Sequence, residues 1–397
     1  MLQGLNVKDD IYWVGSLDKD LKIFDIIMHT DFGTTYNAYV VKGAEKTVLI
    51  EISKEQFFDE FFERLQSVAD PAKIDYIVLN HTEPDHSGSL KQLLPHCPNA
   101  VIVASATGLR FLKDIAHAEF PSRQANDGDC INIGGKTLRF ISAPFLHWAD
   151  SMFTYIPEDK ALFPCDSFGC HYCDERVFND LIEGDFYDAY KYYFDNIMGP
   201  FKKNVLDALE KIKDLPIETI CNGHGPVIRK DPQKYIGMYR EWASPAPKTG
   251  KSVVIAYVSA YGYTKMMAQA IADGVKSAGG IEVSMFDMVH GDVNAATRAV
   301  DAADGVLLGS PTLVGDALPP IMNILTRLNP YYNRGKMMGA FGSYGWSGEA
   351  VPNLEERIKE LKMQMPVPGL RVRFRPTDEQ LNECRSFGEK FAAALLR

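Results

Sequence analysis

Residues 80–86 read Asn-His-Thr-Glu-Pro-Asp-His and directly follow residues 74–79, Ile-Asp-Tyr-Ile-Val-Leu. The apolar run predicts a buried strand, so two imidazoles and two carboxylates follow close behind its end. Burying so many ionisable groups is costly unless something compensates for their lost hydration. A metal ion would compensate, and the mixture of nitrogen and oxygen donors restricts which metals fit. The candidate ligands in this stretch are His81, Glu83, Asp85 and His86.

The composition around this motif is that of a globular protein. A chain of 397 residues is too long for one ordinary core, so we expect two domains. A net charge of -10 argues against a nucleic-acid partner. Residues 1–6 lack the basic and apolar regions of a signal peptide, and no window approaches the length of a membrane span. We therefore expect a cytoplasmic protein that has no membrane partner.

Seven cysteines without a secretion signal predict reduced thiols. Cys170 and Cys173 form a single Cys-x-x-Cys pair, which could be redox-active or half of a metal site. Because no second pair matches it, small buried thiols are the favoured interpretation.

The rhythm of strands and helices changes near residue 243. Residues 1–243 carry several strand-like runs separated by helical stretches at 55–67 and 106–114, which predicts a sandwich of sheets with helices outside; the runs are 11–14, 36–41, 47–50, 74–79, 101–103, 138–141 and 152–155. Residues 244–250 form a Pro-rich polar linker. Residues 251–397 alternate apolar strands with helices, which predicts a doubly wound parallel sheet of α/β class.

The first strand of this second domain is followed by Ser-Ala-Tyr-Gly-Tyr-Thr at 259–264 and then by a helix. Hydroxyls, backbone N–H groups and a helix N-terminus would converge there on an anion. The absence of GxGxxG and of GxxxxGK[ST] disfavours a dinucleotide and a nucleoside triphosphate. Loops 310–315 and 342–348 follow two later strands, at the edge where such sheets bind ligands.

These three loops resemble those of flavodoxins, and the first matches the S/T-x-T/Y-G-x-T pattern of that family. The resemblance implies an FMN whose phosphate lies in the first loop and whose ring lies near Tyr344 and Trp346. The implied FMN-binding residues are Ser259, Ala260, Tyr261, Gly262, Tyr263, Thr264, Pro311, Thr312, Leu313, Gly315, Ser343, Tyr344, Gly345, Trp346 and Ser347.

The motif at 81–86 resembles the HxHxDH motif of metallo-β-lactamases, with Glu83 in place of the middle histidine. Ligands of the same chemical class follow later apolar stretches, at His147, Asp166 and His224. Replacing a histidine by glutamate adds a hard anionic oxygen, which favours iron or manganese over zinc. Asp166 could bridge two metals with one oxygen each.

The two halves together resemble the flavodiiron proteins, also called A-type flavoproteins, over essentially the whole chain. Further matching stretches are residues 33–39, 146–148 and 168–169. The resemblance implies an N-terminal metallo-β-lactamase-like αββα sandwich followed by a flavodoxin-like doubly wound sheet. It implies FMN and two iron ions as cofactors, one iron held by His81, Glu83, His147 and Asp166, and the other by Asp85, His86, Asp166 and His224.

The resemblance further implies a terminal oxidoreductase that reduces O2 to water, NO to N2O, or both. It implies a head-to-tail homodimer, or a dimer of such dimers. No rubredoxin-like pair of CxxC knuckles is present, so we expect an external electron donor, either a rubredoxin or a reduced deazaflavin coenzyme. A zinc-dependent hydrolase with a regulatory flavodoxin domain is the alternative, and Glu83 argues against it. A pure electron carrier whose metal domain is structural is a third possibility.

The residues around the implied metal pair depart from the family pattern. Where many members have Tyr-Tyr-Ala-Asn-Ile, residues 192–197 read Tyr-Tyr-Phe-Asp-Asn-Ile, so Phe194 could stand where a tyrosine hydroxyl is usual. Asp25 stands where many members have histidine. We expect these two changes to affect proton delivery or gas preference. Tyr193 and His171 are the candidate catalytic residues, although His171 could equally be a loop residue near the surface.

Overall fold

The computed structural model describes residues 2–25, 28–245 and 250–397. The chain divides into two compact units, Met1–Pro245 and Ala246–Arg397. Residues 246–249 of the predicted linker lie outside the described residues. Within the described residues no helix is both long enough and apolar enough to cross a membrane.

The first unit contains two main sheets and two short two-stranded sheets. Its strands are β1 (Leu5–Lys8), β2 (Ile11–Trp13), β3 (Ser16–Asp18), β4 (Ile23–Phe24), β5 (Met28–His29), β6 (Thr34–Tyr36), β7 (Tyr39–Lys42), β8 (Thr47–Ile50), β9 (Ile74–Val78), β10 (Val101–Ala104), β11 (Ser122–Gln124), β12 (Cys130–Asn132), β13 (Thr137–Ser142), β14 (Met152–Ile156), β15 (Ala161–Cys165) and β16 (Thr219–Asn222). One sheet has the order β1-β2-β7-β8-β9-β10-β11, and the other has the order β12-β13-β14-β15-β16.

The helices of this unit cover the outer faces of both sheets. They are α1 (Phe58–Val68), α2 (Pro84–Ser87), α3 (Leu90–Leu93), α4 (Ala106–Ala116), α5 (Tyr187–Tyr193), α6 (Lys202–Ile212) and α7 (Pro232–Ala243); 3-10 turns span Glu55–Phe57, Pro71–Lys73, Leu94–His96 and Gly199–Phe201, and a π-helical turn spans Phe194–Met198.

Three apolar clusters account for this layering. Trp13 and Val78 of the first sheet pack with Phe163 of the second, which forms the core between the sheets. Helices α1 and α4 pack on the first sheet, and α5, α6 and α7 pack on the second. A sheet or helix with one apolar face must bury it against another element, so the two sheets end between two helical layers. The unit is the expected αββα sandwich.

The second unit is one parallel sheet with helices on both faces. Its elements are β17 (Lys251–Tyr257), α8 (Tyr263–Ser277), β18 (Ile281–Asp287), α9 (Val293–Ala302), β19 (Gly305–Gly309), β20 (Thr312–Leu313), β21 (Asp316–Ala317), α10 (Pro319–Arg327), α11 (Pro330–Asn333), β22 (Met337–Tyr344), α12 (Ala350–Glu360), β23 (Leu370–Arg373) and α13 (Asp378–Leu395). The strand order β18-β17-β19-β22-β23 reverses beside β17, which is the flavodoxin topology. Helices α8 and α13 cover one face and α9, α10 and α12 the other.

Two of the boundaries that differ from the sequence prediction lie close to the candidate sites. The predicted strand 36–41 is interrupted at Asn37, whose backbone N–H donates to the Gly223 carbonyl (2.9 Å) instead of to a neighbouring strand. Its side chain accepts a hydrogen bond from Trp13 Nε1 (2.8 Å) and donates to the Gly225 carbonyl (2.9 Å). Strand β22 runs on to Tyr344, so Ser343 and Tyr344 belong to the strand end rather than to a loop. The pairing of β22 with β23 continues to Tyr344 and holds this extension.

Candidate metal centre and flavin loops

The seven candidate ligands all lie just beyond strand ends of the first unit. The residues after β9 carry His81 and Glu83 and then enter α2, which presents Asp85 and His86. The other three candidates follow β13, β15 and β16 in turn; they are His147, Asp166 and His224. Strand ends bring distant residues to one edge of the sandwich, which is why candidates up to 143 residues apart in sequence converge.

One group of donors surrounds the Oδ2 side of Asp166. His81 Nε2 lies 3.4 Å from Asp166 Oδ2, and His147 Nε2 lies 3.3 Å from it. Glu83 Oε2 lies 2.9 Å from His147 Nε2 and 3.3 Å from His81 Nε2. These donor atoms lie within 4.8 Å of one another, a spacing at which one ion could contact all of them.

A second group of donors surrounds the Oδ1 side of the same carboxylate. His86 Nε2 lies 2.9 Å from Asp166 Oδ1, and His224 Nε2 lies 3.4 Å from it. Asp85 Oδ2 lies 3.1 Å from His224 Nε2 and 3.6 Å from His86 Nε2. The Asp166 carboxylate therefore separates two sets of nitrogen and oxygen donors and turns one oxygen toward each.

This donor set fits a pair of metal ions. Each position has two imidazoles, one terminal carboxylate and one oxygen of Asp166, and Asp85 Oδ1 is buried without a hydrogen-bond partner among the described residues. Sites built from imidazole nitrogens and carboxylate oxygens, without a cysteine thiolate, suit iron or manganese. Soft thiolate ligands would instead favour softer metal ions. The structure brings all seven predicted residues together, and their role as ligands remains our proposal.

The imidazoles and carboxylates of the cluster shift one another's pKa values. Burial disfavours the charged form of His86, but the Asp85 and Asp166 carboxylates outweigh it and raise its pKa to about 9. Asp166 and Glu83 likewise overcome burial at His147 and raise its pKa to about 9. Burial opposes ionisation of Asp166 as well, yet His86 and His147 hold its pKa well below the ordinary value. The carboxylates of this cluster therefore favour positive charge at the neighbouring imidazole nitrogens.

Residues behind the ligands orient their rings. His81 Nδ1 lies 3.3 Å from Asp150 Oδ2, and the same oxygen accepts hydrogen bonds from the backbone and hydroxyl of Thr82, both at 2.8 Å. His224 Nδ1 donates to the Thr35 carbonyl at 2.7 Å. Such partners fix the tautomer that leaves Nε2 free for a metal. These roles were not predicted from the sequence, because a carboxylate three residues after His147 and a backbone carbonyl carry no motif of their own.

His171 and Tyr193, the predicted catalytic residues, lie beside the second group of donors. The His171 side chain is buried, and its ring centroid lies 5.3 Å from that of His224 and 4.9 Å from that of Tyr193. Burial and the neighbouring His224 lower the pKa of His171 to about 3, so the ring is neutral near pH 7. Its Nδ1 lies 3.0 Å from the Thr34 hydroxyl. Both residues are placed to contact a molecule bound at this side, and their catalytic role is a proposal.

The Phe194 side chain lies in a buried aromatic cluster. Its ring packs against Tyr239 at 4.9 Å and Trp242 at 5.2 Å, whereas the preceding Tyr193 faces His171. Successive residues of a helix differ in direction by roughly 100°, so only one of these neighbours can face the candidate ligands. The ring contacts of Phe194 are with this aromatic cluster, and its effect on proton delivery stays a prediction.

Asp25 stands at the edge of the candidate centre. Burial raises its pKa to about 6, and the nearby Glu83 and Asp85 carboxylates add to that increase. The side chain of Asp25 is exposed, and a carboxyl group with this pKa binds a proton in mildly acidic solution. The expectation that this departure affects proton delivery is compatible with its position.

All seven cysteines are free thiols, as their odd number and the lack of a secretion signal predicted. Cys170 is buried against Gly225, where an added Cβ would meet its sulfur at 2.6 Å. Burial raises the pKa of the Cys173 thiol to about 11 and that of Cys170 still further. Neither thiol is activated, which supports a packing role for the pair.

The three predicted flavin loops of the second unit all lie at the carboxyl edge of its sheet, after β17, β19 and β22. Gly262 precedes α8 with φ +84, a left-handed conformation in which an added Cβ would meet nothing within 4 Å. The buried Thr264 hydroxyl lies 2.9 Å from the Ser343 hydroxyl, which joins the first loop to the end of β22. An open cradle at the N-terminus of a 15-residue helix fits the phosphate of FMN.

Aromatic side chains around this cradle are exposed. Trp346 is 96% exposed and Tyr261 is 80% exposed. Large exposed aromatic rings are unusual on a soluble surface unless a ligand or partner covers them. They therefore fit contacts to a planar ring, although the predicted flavin role of each residue remains a proposal.

Comparison with known proteins agrees with this architecture. Residues 34–225 match a family model described as ODP family beta lactamase, and residues 255–388 match the flavodoxin model. The chain is 43% identical to a type A flavoprotein of Rhodobacter capsulatus, over 97% of this chain and 90% of the relative. It is 38% identical to a nitric oxide reductase of Moorella thermoacetica over the full length of both proteins.

Among solved structures, rubredoxin oxygen:oxidoreductase from Desulfovibrio gigas superposes with a TM-score of 0.74 at 30% identity and covers 99% of both chains. A lactamase-like unit followed by a flavodoxin unit defines a two-cofactor flavoprotein class. The chain belongs to the flavodiiron family, whose members are also called type A flavoproteins. The family implies FMN and a diiron centre, and the two candidate sites described above fit those groups.

Proposed function

We propose that this protein reduces O2 to water, NO to N2O, or both, with electrons that pass through FMN to a non-heme diiron centre. The observation that carries the proposal is the Asp166 carboxylate, which turns one oxygen toward each of two imidazole and carboxylate donor sets. The same chain carries a flavodoxin unit, and relatives named nitric oxide reductase and rubredoxin oxygen:oxidoreductase match it over nearly their full length.

The residues assign the parts of this chemistry. His81, Glu83 and His147 would hold one iron and Asp85, His86 and His224 the other, with Asp166 shared between them. When bound, the metal pair supplies reducing electrons and stabilises negative charge that develops on oxygen. FMN in the second unit would be held by its phosphate in the loop that contains Gly262 and Thr264.

Reduction of either gas consumes protons, and two groups near the centre can take part. His171 is neutral near pH 7 and leaves Nε2 without a partner among the described residues, so that atom can hold or pass a proton. Asp25 can carry a proton on its carboxyl group in mildly acidic solution. Tyr193 adjoins His171 and completes a group of titratable side chains on one side of the centre.

The electron donor is proposed to be a small rubredoxin-type protein, on the strength of the name of the Desulfovibrio gigas structure. A reduced deazaflavin coenzyme is the alternative donor. We also propose the head-to-tail homodimer, or a dimer of such dimers, as the working assembly. Mass photometry of the purified protein tests the assembly, and stopped-flow reduction by each donor tests the electron source.

The central experiment is anaerobic reduction of the purified protein followed by parallel measurement of O2 and NO consumption. Metal and flavin analysis of the same sample gives the iron and FMN content. The proposal requires iron, FMN and consumption of at least one gas at rates well above those of free FMN. Zinc in place of iron, together with thioester or ester hydrolysis, would instead support the hydrolase, an alternative already weakened by Glu83.

A matched pair of variants separates the two cofactors. Thr264→Val removes a buried hydroxyl in the flavin cradle without touching the first unit, whereas Asp166→Asn changes the carboxylate shared by both metal positions. We expect Thr264→Val to lose FMN and retain iron, and Asp166→Asn to lose iron and retain FMN. Both variants should lose gas reduction with the physiological donor. Full activity in either variant would contradict the proposed route of electrons.

A further inference from the structure

The His86 ring has a nitrogen that nothing described so far explains. Its Nε2 faces Asp166 at 2.9 Å, on the side of the candidate metal position. Its Nδ1 is fully buried and has no hydrogen-bond partner among the described residues. Leaving a buried polar atom without a partner is energetically costly, so a nearby acceptor or ligand is expected.

A buried carboxylate stands at the same place. Glu51 follows directly after β8, and only 1% of its surface is exposed. One oxygen of Glu51, one nitrogen of His86 and the Cys165 thiol lie within 4.8 Å of one another. Since Nε2 is directed at Asp166, Nδ1 is the His86 nitrogen left for this side. Glu51 Oε2 also lacks a hydrogen-bond partner among the described residues.

The surroundings of Glu51 fix its carboxylate. Its Oε1 accepts hydrogen bonds from the backbone N–H of Asn80 at 3.0 Å and from the Asn80 side-chain amide at 2.7 Å. Asn80 is itself held by the Thr154 hydroxyl at 2.7 Å, and it immediately precedes the candidate ligand His81. The Glu51 backbone has φ +57, a left-handed conformation that is unfavourable for a glutamate. Backbone strain of this kind persists where the surrounding structure demands a particular side-chain position.

Two further contacts confine the His86 ring and its backbone. A Cβ added to Gly223 would stand 2.7 Å from His86 Cε1, so the ring packs directly against the backbone of this glycine. Ile52 N–H donates to the His86 carbonyl at 3.4 Å, which ties the segment after Glu51 to α2. These contacts leave the ring little freedom to turn away from Glu51.

We propose that Glu51 is a positioning residue for the iron site that contains Asp85, His86 and His224: its Oε2 accepts a hydrogen bond from His86 Nδ1–H. The inference rests on the proposed diiron function. Fixing this tautomer leaves His86 Nε2 as the metal-binding atom, as Asp150 does for His81 and the Thr35 carbonyl does for His224. A carboxylate partner also makes the imidazole a stronger donor to iron.

Glu51→Gln tests this role with little change of shape. Both Asn80 donors bond to Oε1, so the glutamine carbonyl must stay there and its NH2 group then faces His86 Nδ1. That NH2 group can only donate, which favours the wrong His86 tautomer. We expect one metal of the pair to bind about tenfold to hundredfold more weakly while the other is retained. The exposed Glu55→Gln, four residues further along, is the matched control and should bind both metals normally.

Metal binding is followed by titrating the metal-free protein with Co(II), whose visible spectrum reports each position, and by Mössbauer spectra of the iron-loaded protein. In the zinc-loaded wild-type protein, long-range 1H–15N correlation spectra should show His86 protonated at Nδ1; this readout remains available if Glu51→Gln folds poorly. A His86 tautomer protonated at Nε2, or unchanged Co(II) affinity and Mössbauer spectra in Glu51→Gln, would overturn the role of Glu51 without affecting the diiron proposal.

A third metal per chain, lost in both Glu51→Gln and Cys165→Ser, would also overturn the inference, because Glu51 would then be a ligand rather than a hydrogen-bond acceptor. Failure of the wild-type protein to bind two metals would instead contradict the proposed function itself. The two failures are therefore distinguishable in the same titration.

Discussion

Gly223, one residue before the candidate ligand His224, offers a test of the centre that leaves every ligand unchanged. An alanine Cβ at this position would stand 2.7 Å from His86 Cε1 and 3.1 Å from the carbonyl carbon of Cys165. The contact with His86 is roughly 0.8 Å short of the ~3.5 Å at which carbon atoms begin to attract one another. His86 is fully buried and its Nε2 lies 2.9 Å from Asp166, so neither the ring nor the backbone can move freely.

We expect Gly223→Ala to cost about 1–3 kcal/mol of unfolding free energy, as overpacking in a dense interior generally does. For a unit of this size a loss of about 2 kcal/mol lowers Tm by roughly 4–8 °C. Displacing the ring by several tenths of an ångström also exceeds the tolerance of a metal site, about 0.5 Å. One of the two metals should therefore bind at least tenfold more weakly.

Differential scanning calorimetry of the metal-free protein measures the first effect and Co(II) titration the second. Gly237→Ala in α7 is the matched control, because an added Cβ there meets nothing within 4 Å. Alanine in a helix interior should leave metal binding intact and raise stability by about 0.5–1 kcal/mol. A Gly223→Ala protein with wild-type Tm and wild-type affinity at both positions would refute the close packing of His86 against residue 223.

Three further predictions concern protons, the aromatic neighbours and the flavin. The pKa values of His86 and His147 are raised to about 9, so both rings carry protons at pH 7. Metal binding must therefore release protons, weaken in acid and strengthen up to about pH 9. Calorimetric titrations in buffers of different ionisation enthalpy measure this release, and no release would be seen if the two histidines were already neutral. Phe194→Tyr buries a hydroxyl in an aromatic cluster and should lower the free energy of unfolding by about 1–3 kcal/mol. It should leave the ratio of O2 to NO consumption unchanged, whereas Tyr193→Phe should slow gas reduction. A changed ratio in Phe194→Tyr would support the sequence-based expectation that position 194 affects gas preference. Gly262→Ala places a side chain at a left-handed backbone position and should weaken FMN binding by about tenfold in a fluorescence titration. Gly279→Ala is the control, because Gly279 is also left-handed but lies remote in sequence from the flavin loops; this variant should bind FMN normally.

The sequence allowed the folds of both units to be predicted because the strand pattern is strong. The strand at 47–50 was placed at the observed bounds, and the strand at 74–79 extends one residue too far. Strand β23 and helix α13 were not predicted, although Thr377 and Gln380 form a capping box at the start of α13. Exposed arginines interrupt β23 at alternate positions, so it lacks the continuous apolar run by which the other parallel strands of its sheet were recognised.

The candidate ligands were predictable for a similar reason, and their supporting residues were not. Each ligand follows an apolar stretch, where a charged residue is conspicuous. Asp150 and Glu51 also follow or precede such stretches, but their roles depend on which ring they face after folding. The direction of Tyr193 rather than Phe194 toward the site depends on the rotation of α5 and the π-helical turn that follows it. A helical pattern that is apolar on several faces cannot specify that rotation.

The two metal positions differ in exposure, and this difference follows from how their ligands are supplied. In the first position the side chains of His147 and Glu83 are 16% and 13% exposed. In the second, those of Asp85 and His224 are 7% and 1% exposed. His147 comes from the long connection between two strands, whereas His86 lies on α2 and His224 directly follows β16, with both packed against the interior. The first position is therefore the one open to solvent, and the buried Asp166 carboxylate links it to a second position whose geometry the interior determines. The residues that confine His86 therefore belong to the more enclosed position, which is why substitutions at those residues should affect one metal and spare the other.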